Sequence, residues 1–219
     1  MNEEIQQEII KQDYEKIQQD IETFLKNQIS QKKADGVIFG LSGGIDSATV
    51  AYLCRKISET KEVLALVMPD SAISPSSETG DALKIIGDIG IDYKLIDINT
   101  IHKRYSNYLE PDKLALGNLR ARIRSNIIYY YANLKNLLVL GTSDKSEYLI
   151  GYFTKFGDGS ADILPIVSLY KTQMRELAKT IGVPDNIVTK KAVQISGRDM
   201  MQKKKLAFHM KRLTLHCIA

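Results

Sequence analysis

Apolar residues recur along this chain with two different periods. From Ile5 to Leu25 they recur at helical spacing, which predicts one long amphipathic helix over about residues 3–30. The period then changes, because residues 36–40 form a short apolar run between two glycines. Such a run is typical of a buried strand.

Further along the chain, strand-like runs alternate with helical patterns. The runs at 63–68, 92–98 and 137–141 predict three more strands, and helical spacing predicts helices over about 46–57, 82–89, 114–134 and 168–181. This alternation predicts an α/β fold, with a doubly wound, mostly parallel sheet preceded by an N-terminal helix. Ligands bind beyond the carboxyl ends of such strands. Since the first and fourth strands both end in glycine followed by small polar residues, their two turns are the predicted ligand site.

Composition narrows the class of protein. The chain of 219 residues is long enough for one domain with a substantial core. No apolar run approaches the roughly 20 residues that span a bilayer, and the first residues lack the pattern of a secretory signal. The two cysteines, Cys54 and Cys217, stand far apart, which argues against a disulfide scaffold or a zinc site. We therefore expect a cytoplasmic protein with no membrane partner.

The net charge of +4 comes from one end of the chain. Residues 189–219 hold eight lysines and arginines against a single acid, so the rest of the chain is slightly acidic. A basic tail is often a nucleic-acid arm. Stacking aromatics do not accompany the lysines at 203–205, however, and we expect no nucleic-acid partner.

The turn after the first strand has the composition of a phosphate-binding loop. It reads Gly-Leu-Ser-Gly-Gly-Ile-Asp-Ser over residues 40–47 and leads into a predicted helix. Gly43 and Gly44 allow close approach of the backbone, while successive N–H groups and the helix N-terminus attract an anion. Asp46 would repel phosphates unless a divalent cation lies between them. The turn lacks the lysine of a Walker A loop. The alternative is a glycine-rich turn in which Asp46 only caps the helix.

The Ser-Gly-Gly-Xaa-Asp-Ser sequence in this turn resembles the ATP pyrophosphatase superfamily, whose members cleave ATP between the α and β phosphates. A second stretch narrows the resemblance. Residues 141–147 and 151–165, together with 117–122, are similar to the signature of the ammonia-dependent NAD synthetases. GMP synthetase-like and tRNA-thiolating enzymes are the alternatives within the superfamily. The resemblance covers about residues 30–190 and implies a Rossmann-like adenine nucleotide α-hydrolase fold.

The resemblance implies a role for each matching residue. ATP binding is implied for Gly40, Leu41, Ser42, Gly43, Gly44, Ile45, Asp46, Ser47, Thr142 and Lys171; deamido-NAD binding for Arg122, Lys155 and Asp162; and Mg²⁺ ligation for Asp46 and Glu147. Without the resemblance, Arg122, Glu147 and Lys171 could simply be solvated side chains on helices. No residue is assigned as a catalytic acid or base.

The resemblance also implies an activity. The nicotinate carboxylate of deamido-NAD attacks the α-phosphate of ATP, and ammonia then displaces AMP from the acyl-adenylate to give NAD. No glutaminase or nitrilase-type pattern occurs in the sequence, so free ammonia is the expected nitrogen donor. Members of this family are homodimers, and the helix around 114–134 is the predicted dimer element.

The family pattern stops near residue 191. We therefore divide the chain into an NAD synthetase domain over 1–191 and an atypical basic tail over 192–219. A shifted reading frame from codon 192 is compatible with a family-like peptide, and we hypothesise that the tail is a frameshift product. Val193 stands where the family has a Ser or Thr that contacts ATP. The sequence thus leaves a damaged or inactive nucleotide-binding relic as an alternative to an active ligase.

Overall fold

The computed structural model describes residues 10–190, in which helices alternate with parallel strands. The helices are α1 Tyr14–Gln31, α2 Ile45–Leu53, α3 Ser76–Ile89, α4 Asn99–Ser106, α5 Lys113–Lys135, α6 Lys145–Ile150, α7 Lys171–Thr180 and α8 Asp185–Val188; the strands are β1 Gly36–Gly40, β2 Glu62–Val67, β3 Asp92–Leu95 and β4 Leu137–Val139. The strand order is β3-β2-β1-β4, and every pair is parallel. The predicted α/β fold with a doubly wound parallel sheet is therefore confirmed.

Alternate residues of the central strands point to opposite faces of the sheet, and each face is buried. Val37 and Phe39 of β1 join a cluster formed with α1, α2, α3 and α7, whereas Ile38 joins a smaller cluster formed with α5. All three side chains are fully buried. Helices on both faces explain why the central strands read as continuous apolar runs rather than alternating ones.

The strand order determines where in the sheet a ligand site can lie. The chain passes from β1 outward through β2 to β3, then returns to pair β4 with the other side of β1. The order reverses between β1 and β4, so the turns that follow these two strands diverge and leave a crevice. The two turns singled out by their glycines are thus neighbours in space.

The N-terminal helix differs from the prediction. A single helix from residue 3 is wrong, because residues 11–13 are not helical and α1 begins at Tyr14. The side chain of Asp13 accepts a hydrogen bond from the backbone N–H of Lys16 and so caps the helix start. The apolar period continues across this break, which is why periodicity alone did not reveal it.

Three short helices, α4, α6 and α8, were not predicted. Helix α4 buries only His102 and α6 buries no residue, so neither produces an apolar stripe that periodicity detects. Strand β3, predicted over 92–98, ends at Leu95 and is exposed at all four positions. In the part of the chain that the structure describes, no helix has the length and apolarity to cross a membrane.

Candidate active site

The phosphate turn, residues 40–47, is held in shape by its own serines. Ser47 Oγ lies 3.1 Å from Ser42 Oγ and donates to the carbonyl of Gly44 at 3.1 Å. It also accepts the N–H of Ser42 at 3.2 Å. Gly44, with extended backbone, is the N-cap of α2. Helix α2 thus starts directly within the turn, and a helix N-terminus offers backbone N–H groups to an anion.

Gly43 has a conformation that other residues rarely adopt. Its φ is +79°, and a Cβ at this position would collide with the backbone carbonyl oxygen of Glu78 in α3. Because the obstacle is backbone, it cannot move aside as a flexible side chain does. The turn thus needs glycine at 43 both for its dihedral angle and for the close approach of α3.

Asp46 does not cap α2, since Gly44 occupies that position and no side chain caps the helix. The carboxylate instead meets Lys171, whose Nζ lies 2.7 Å from Asp46 Oδ1. The same ammonium lies 3.0 Å from Asp144 Oδ2 and 3.5 Å from Glu147 Oε1. These four residues, here called the ammonium cluster, join α2, α6 and α7 across 125 residues of sequence. Lys171 and Glu147 are therefore not simply solvated.

Backbone contacts hold the cluster together. The N–H of Lys171 donates to Ser146 Oγ at 3.1 Å, and the N–H of Lys145 donates to the carbonyl of Leu169 at 2.8 Å. These bonds join the N-terminus of α6 to the N-terminus of α7. These bonds fix the Lys171 backbone relative to α6. The Lys171 side chain therefore loses little conformational freedom when it contacts the carboxylates.

The charges of the cluster do not balance, since three carboxylates surround one ammonium. Burial raises the pKa of Glu147 to about 7, with a further rise from Asp46 and Asp144, although Lys171 opposes it. Burial likewise raises the pKa of Asp46 against the effect of Lys171. For Lys171 itself burial lowers the pKa, but Asp46 and Glu147 outweigh this and hold it above its ordinary value. The cluster therefore attracts a further cation.

The carboxylates have the chemistry of a magnesium site. Mg²⁺ takes oxygen ligands and is usually held by one or two carboxylates with waters and substrate phosphates. Asp46 and Glu147 fit that donor set beside a phosphate turn. Among residues 10–190, no group of three or more His, Cys, Asp or Glu side chains is arranged as a self-sufficient metal site. Two carboxylates would leave the remaining ligand positions to phosphate oxygens and water.

A cavity of about 790 Å³ opens beside the turn, between the ends of β1, β2 and β4 and the helix α5. Its volume is within the range of about 300–1,000 Å³ found for small-molecule sites. The predicted ATP residues Gly40, Leu41, Ser42, Ser47 and Thr142 line it. Gly43, Gly44, Ile45 and Asp46 belong to the same turn but do not line the cavity, and neither do Glu147 and Lys171.

The predicted dinucleotide residues lie in a second region, formed by α5 and residues 151–165, here called the substrate segment. Arg122 Nε donates to the carbonyl of Lys155 at 3.1 Å, which brings these two residues together. Asp162 Oδ2 accepts the N–H of Val139 at 2.8 Å, while its Oδ1 accepts the Tyr129 hydroxyl at 3.3 Å. Arg122, Lys155 and Asp162 are all exposed. They border the cavity without lining it.

The sequence analysis did not assign two polar residues of the site, Arg124 and Asp144. Arg124 lines the cavity and donates from Nε to the carbonyl of Met68 at 2.8 Å, and burial lowers its pKa. The side chain of Asp144 is fully buried and caps α6 by accepting the N–H of Glu147 at 2.8 Å. An Asp three residues before a Glu is the signature of a helix start, so the sequence held a signal for Asp144. Nothing in the local sequence indicates the contact between Arg124 and Met68.

Comparison with known proteins agrees with this geometry. A family model described as NAD synthase matches residues 17–196. The chain belongs to the NAD synthase family. Among curated relatives, an NH(3)-dependent NAD(+) synthetase from Hyperthermus butylicus is 48% identical over 185 residues, covering 84% of this chain and 67% of the relative. The family predicted from residues 40–47 and 141–165 is therefore confirmed.

Solved structures support the same assignment. An NH3-dependent NAD synthetase from Campylobacter jejuni, in complex with the nitrate ion, has a TM-score of 0.77 at 38% identity, covering 94% of this chain and 88% of that one. A structure described as NMN synthetase from Francisella tularensis has a TM-score of 0.80 at 30% identity, covering 91% and 94%. The fold is thus shared by relatives named for two different products.

Proposed function

We propose that this chain is a ligase that forms NAD from deamido-NAD, ammonia and ATP. The nicotinate carboxylate attacks the α-phosphorus of ATP and pyrophosphate leaves, which gives an acyl-adenylate. Ammonia then attacks the acyl carbon, the bond from that carbon to the bridging oxygen breaks, and AMP leaves with the oxygen as the amide forms. The observation that carries this proposal is the ammonium cluster beside the phosphate turn in a chain of the NAD synthase family.

The ATP half of the reaction needs negative charge on phosphate to be neutralised. In our proposal the N–H groups of residues 40–47 and the start of α2 bind phosphate oxygens, and Lys171 adds a positive charge. Asp46 and Glu147 hold Mg²⁺, which when bound polarises the phosphates and offsets charge as pyrophosphate leaves. Thr142, at the wall of the cavity, contacts ATP. These assignments come from the resemblance together with the contacts among residues 40–47, 147 and 171.

The acceptor half needs the nicotinate carboxylate to be positioned. We assign Arg122, Lys155 and Asp162 to binding deamido-NAD. Arg122 donates to the backbone carbonyl of Lys155, and both residues carry cationic side chains, which suits an anionic dinucleotide. Asp162 is oriented by the backbone N–H of Val139 at the end of β4. The acceptor is thus held next to the cavity and not within it.

The proposed homodimer is supported by α5. Of its 23 residues only Ile123, Ser125 and Ala132 are buried, while Tyr130 and Leu134 are each 63% exposed. Apolar side chains exposed together on a helix are typical of an interaction surface. On the same helix, Arg122 directly follows the cavity-lining residue Ala121, and Tyr129 directly follows the cavity-lining residue Ile128. A partner subunit on α5 would therefore also cover the dinucleotide.

The test is product formation by the expressed chain. We expect NAD, AMP and pyrophosphate in equal amounts from deamido-NAD, ATP and ammonium. Nicotinate mononucleotide is the comparison substrate, because a structural neighbour is described as an NMN synthetase. Faster turnover of the mononucleotide would replace the proposed acceptor. ATP binding without any turnover would favour the relic instead, and GMP synthetase-like or tRNA-thiolating roles are not favoured by the family match.

A further inference from the structure

The three carboxylates around Lys171 are not equivalent. The side chain of Asp144 is fully buried, whereas those of Asp46 and Glu147 are 25% and 28% exposed. Asp46 and Glu147 therefore reach solvent beside the phosphate turn, although neither lines the cavity. The Asp144 carboxylate has no contact with solvent, so it is not placed to meet a cation that arrives from solvent with phosphate.

Asp144 is also fixed in orientation. Its Oδ1 accepts the N–H of Glu147 at 2.8 Å as the cap of α6. This bond leaves Oδ2 facing Lys171 Nζ at 3.0 Å, and no other ion pair reaches Asp144 within residues 10–190. The contact with Asp144 helps to hold the pKa of Lys171 above its ordinary value. Asp144 thus directs one buried carboxylate oxygen at the ammonium and the other at the start of α6.

The geometry indicates that the three carboxylates have two different roles, an inference that rests on the proposed function. We propose that Asp144 is a positioning residue for Lys171: it holds the ammonium at the phosphate turn while Asp46 and Glu147 exchange that ammonium for the cation that arrives with ATP. A lysine released by two carboxylates still needs one buried anion to keep it ordered. Asp144 can keep the Lys171 ammonium ordered, because it is buried and pairs with that cation.

A binding cycle tests this proposal. The variants are Asp144→Asn, Lys171→Met and the double variant, and the probe is an ATP analogue with a methylene group between the α and β phosphorus, added with Mg²⁺. Asn keeps the oxygen that caps α6 while removing the charge. We expect D144N to bind the analogue about 10-fold more weakly and K171M about 10- to 100-fold more weakly, as for lost charged hydrogen bonds. The double variant should bind like K171M within about twofold, because Asp144 acts through Lys171.

The controls separate positioning from a general structural effect. Asp13→Asn changes another helix cap of the same type, on α1 and far from the cavity, and should leave analogue binding unchanged. In steady state, D144N should raise the KM for ATP but leave the KM for deamido-NAD unchanged. A merely structural role would move both.

Thermal melting supplies a second readout if K171M folds poorly. K171M leaves Asp144 buried without a partner, so its Tm should fall, and the double variant should recover part of the loss. Two results would overturn the proposal: D144N binds the analogue as tightly as the wild type, or its loss of affinity persists undiminished in the K171M background. A wild type that makes no NAD would contradict the proposed function. The binding cycle needs no turnover, so it would still decide the role of Asp144.

Discussion

The phosphate turn and the substrate segment lie at the crevice beyond the ends of β1 and β4, but different contacts stabilise their conformations. The turn is enclosed: its serines bond to one another, α3 presses on Gly43, and the ammonium cluster joins three helices. The substrate segment exposes its assigned side chains and uses Asp162 partly to bond its own chain. The contrast agrees with the proposed homodimer, in which one chain would build the ATP half and a partner subunit would complete the dinucleotide half.

The largest expected effect tests the ATP half. Asp46→Asn removes a proposed metal ligand and the closest partner of Lys171, so we expect kcat/KM for ATP to fall about 100- to 1,000-fold. Steady-state rates at saturating deamido-NAD measure this. Asp20→Asn, in an exposed ion pair on α1, is the matched control and should retain full activity. Activity of D46N near the wild-type level would remove Asp46 from the site.

The second prediction concerns the enclosure of the turn. Gly43→Ala places a methyl group against the backbone of Glu78 at a positive φ, so we expect ATP to bind at least about 10-fold more weakly. Calorimetric titration measures the affinity. Gly87→Ala is the control, because a Cβ there has open space and Ala favours a helix by about 0.5–1 kcal/mol. G87A should raise the Tm and bind ATP normally.

The third prediction tests the other half. Leu134→Glu places a charge on the exposed face of α5, so we expect a smaller assembly by sedimentation and a KM for deamido-NAD about 10-fold higher. Affinity for ATP should be unchanged, because its contacts lie within one chain. Phe24→Glu, at an exposed apolar position on α1, should alter neither quantity. An unchanged assembly in L134E would assign the interface to another surface.

The smallest effect is a pH dependence. Because burial raises the pKa of Glu147 to about 7, the folded state binds its proton more tightly than the unfolded chain. The stability from this group is fully present below the unfolded value of about 4.5 and is lost as pH rises through about 7. Relative to Glu147→Gln, the free energy of unfolding without metal or nucleotide should therefore decline by on the order of 2 kcal/mol between pH 4.5 and 7.5. Denaturant unfolding at several pH values measures it, and a flat difference would contradict the raised pKa.

The fold was largely predictable because it depends on local patterns. An apolar run between two glycines predicts β1, an apolar run that ends at Gly141 predicts β4, and helical spacing predicts α5 within one residue at each end. The break before Tyr14 was not predicted because the apolar period continues across it, and α4 and α6 were not predicted because they bury too few residues to produce an apolar period. The predicted family is confirmed, whereas the roles of the individual site residues, the magnesium ion, the homodimer and the cytoplasmic location remain predictions.

The site was only partly predictable because its contacts are tertiary. The motif resemblance located Asp46, Glu147 and Lys171, but only the structure shows that Asp144 shares the ammonium with them. Arg124, in the middle of α5, contacts Met68, which directly follows β2 and is 56 residues away, and no local signal marks that pair. The tail hypothesis falls on residues 192–219, outside those described, and independent resequencing around codon 192 tests it.

The central claim is that this site joins a carboxylate to the α-phosphorus of ATP. Deamido-NAD labelled with oxygen-18 in its nicotinate carboxylate tests that bond directly, because the bridging oxygen leaves with AMP when ammonia attacks the acyl carbon. We predict one labelled oxygen in each AMP and none in pyrophosphate, as measured by mass spectrometry. Label in pyrophosphate or free phosphate, with unlabelled AMP, would contradict the account.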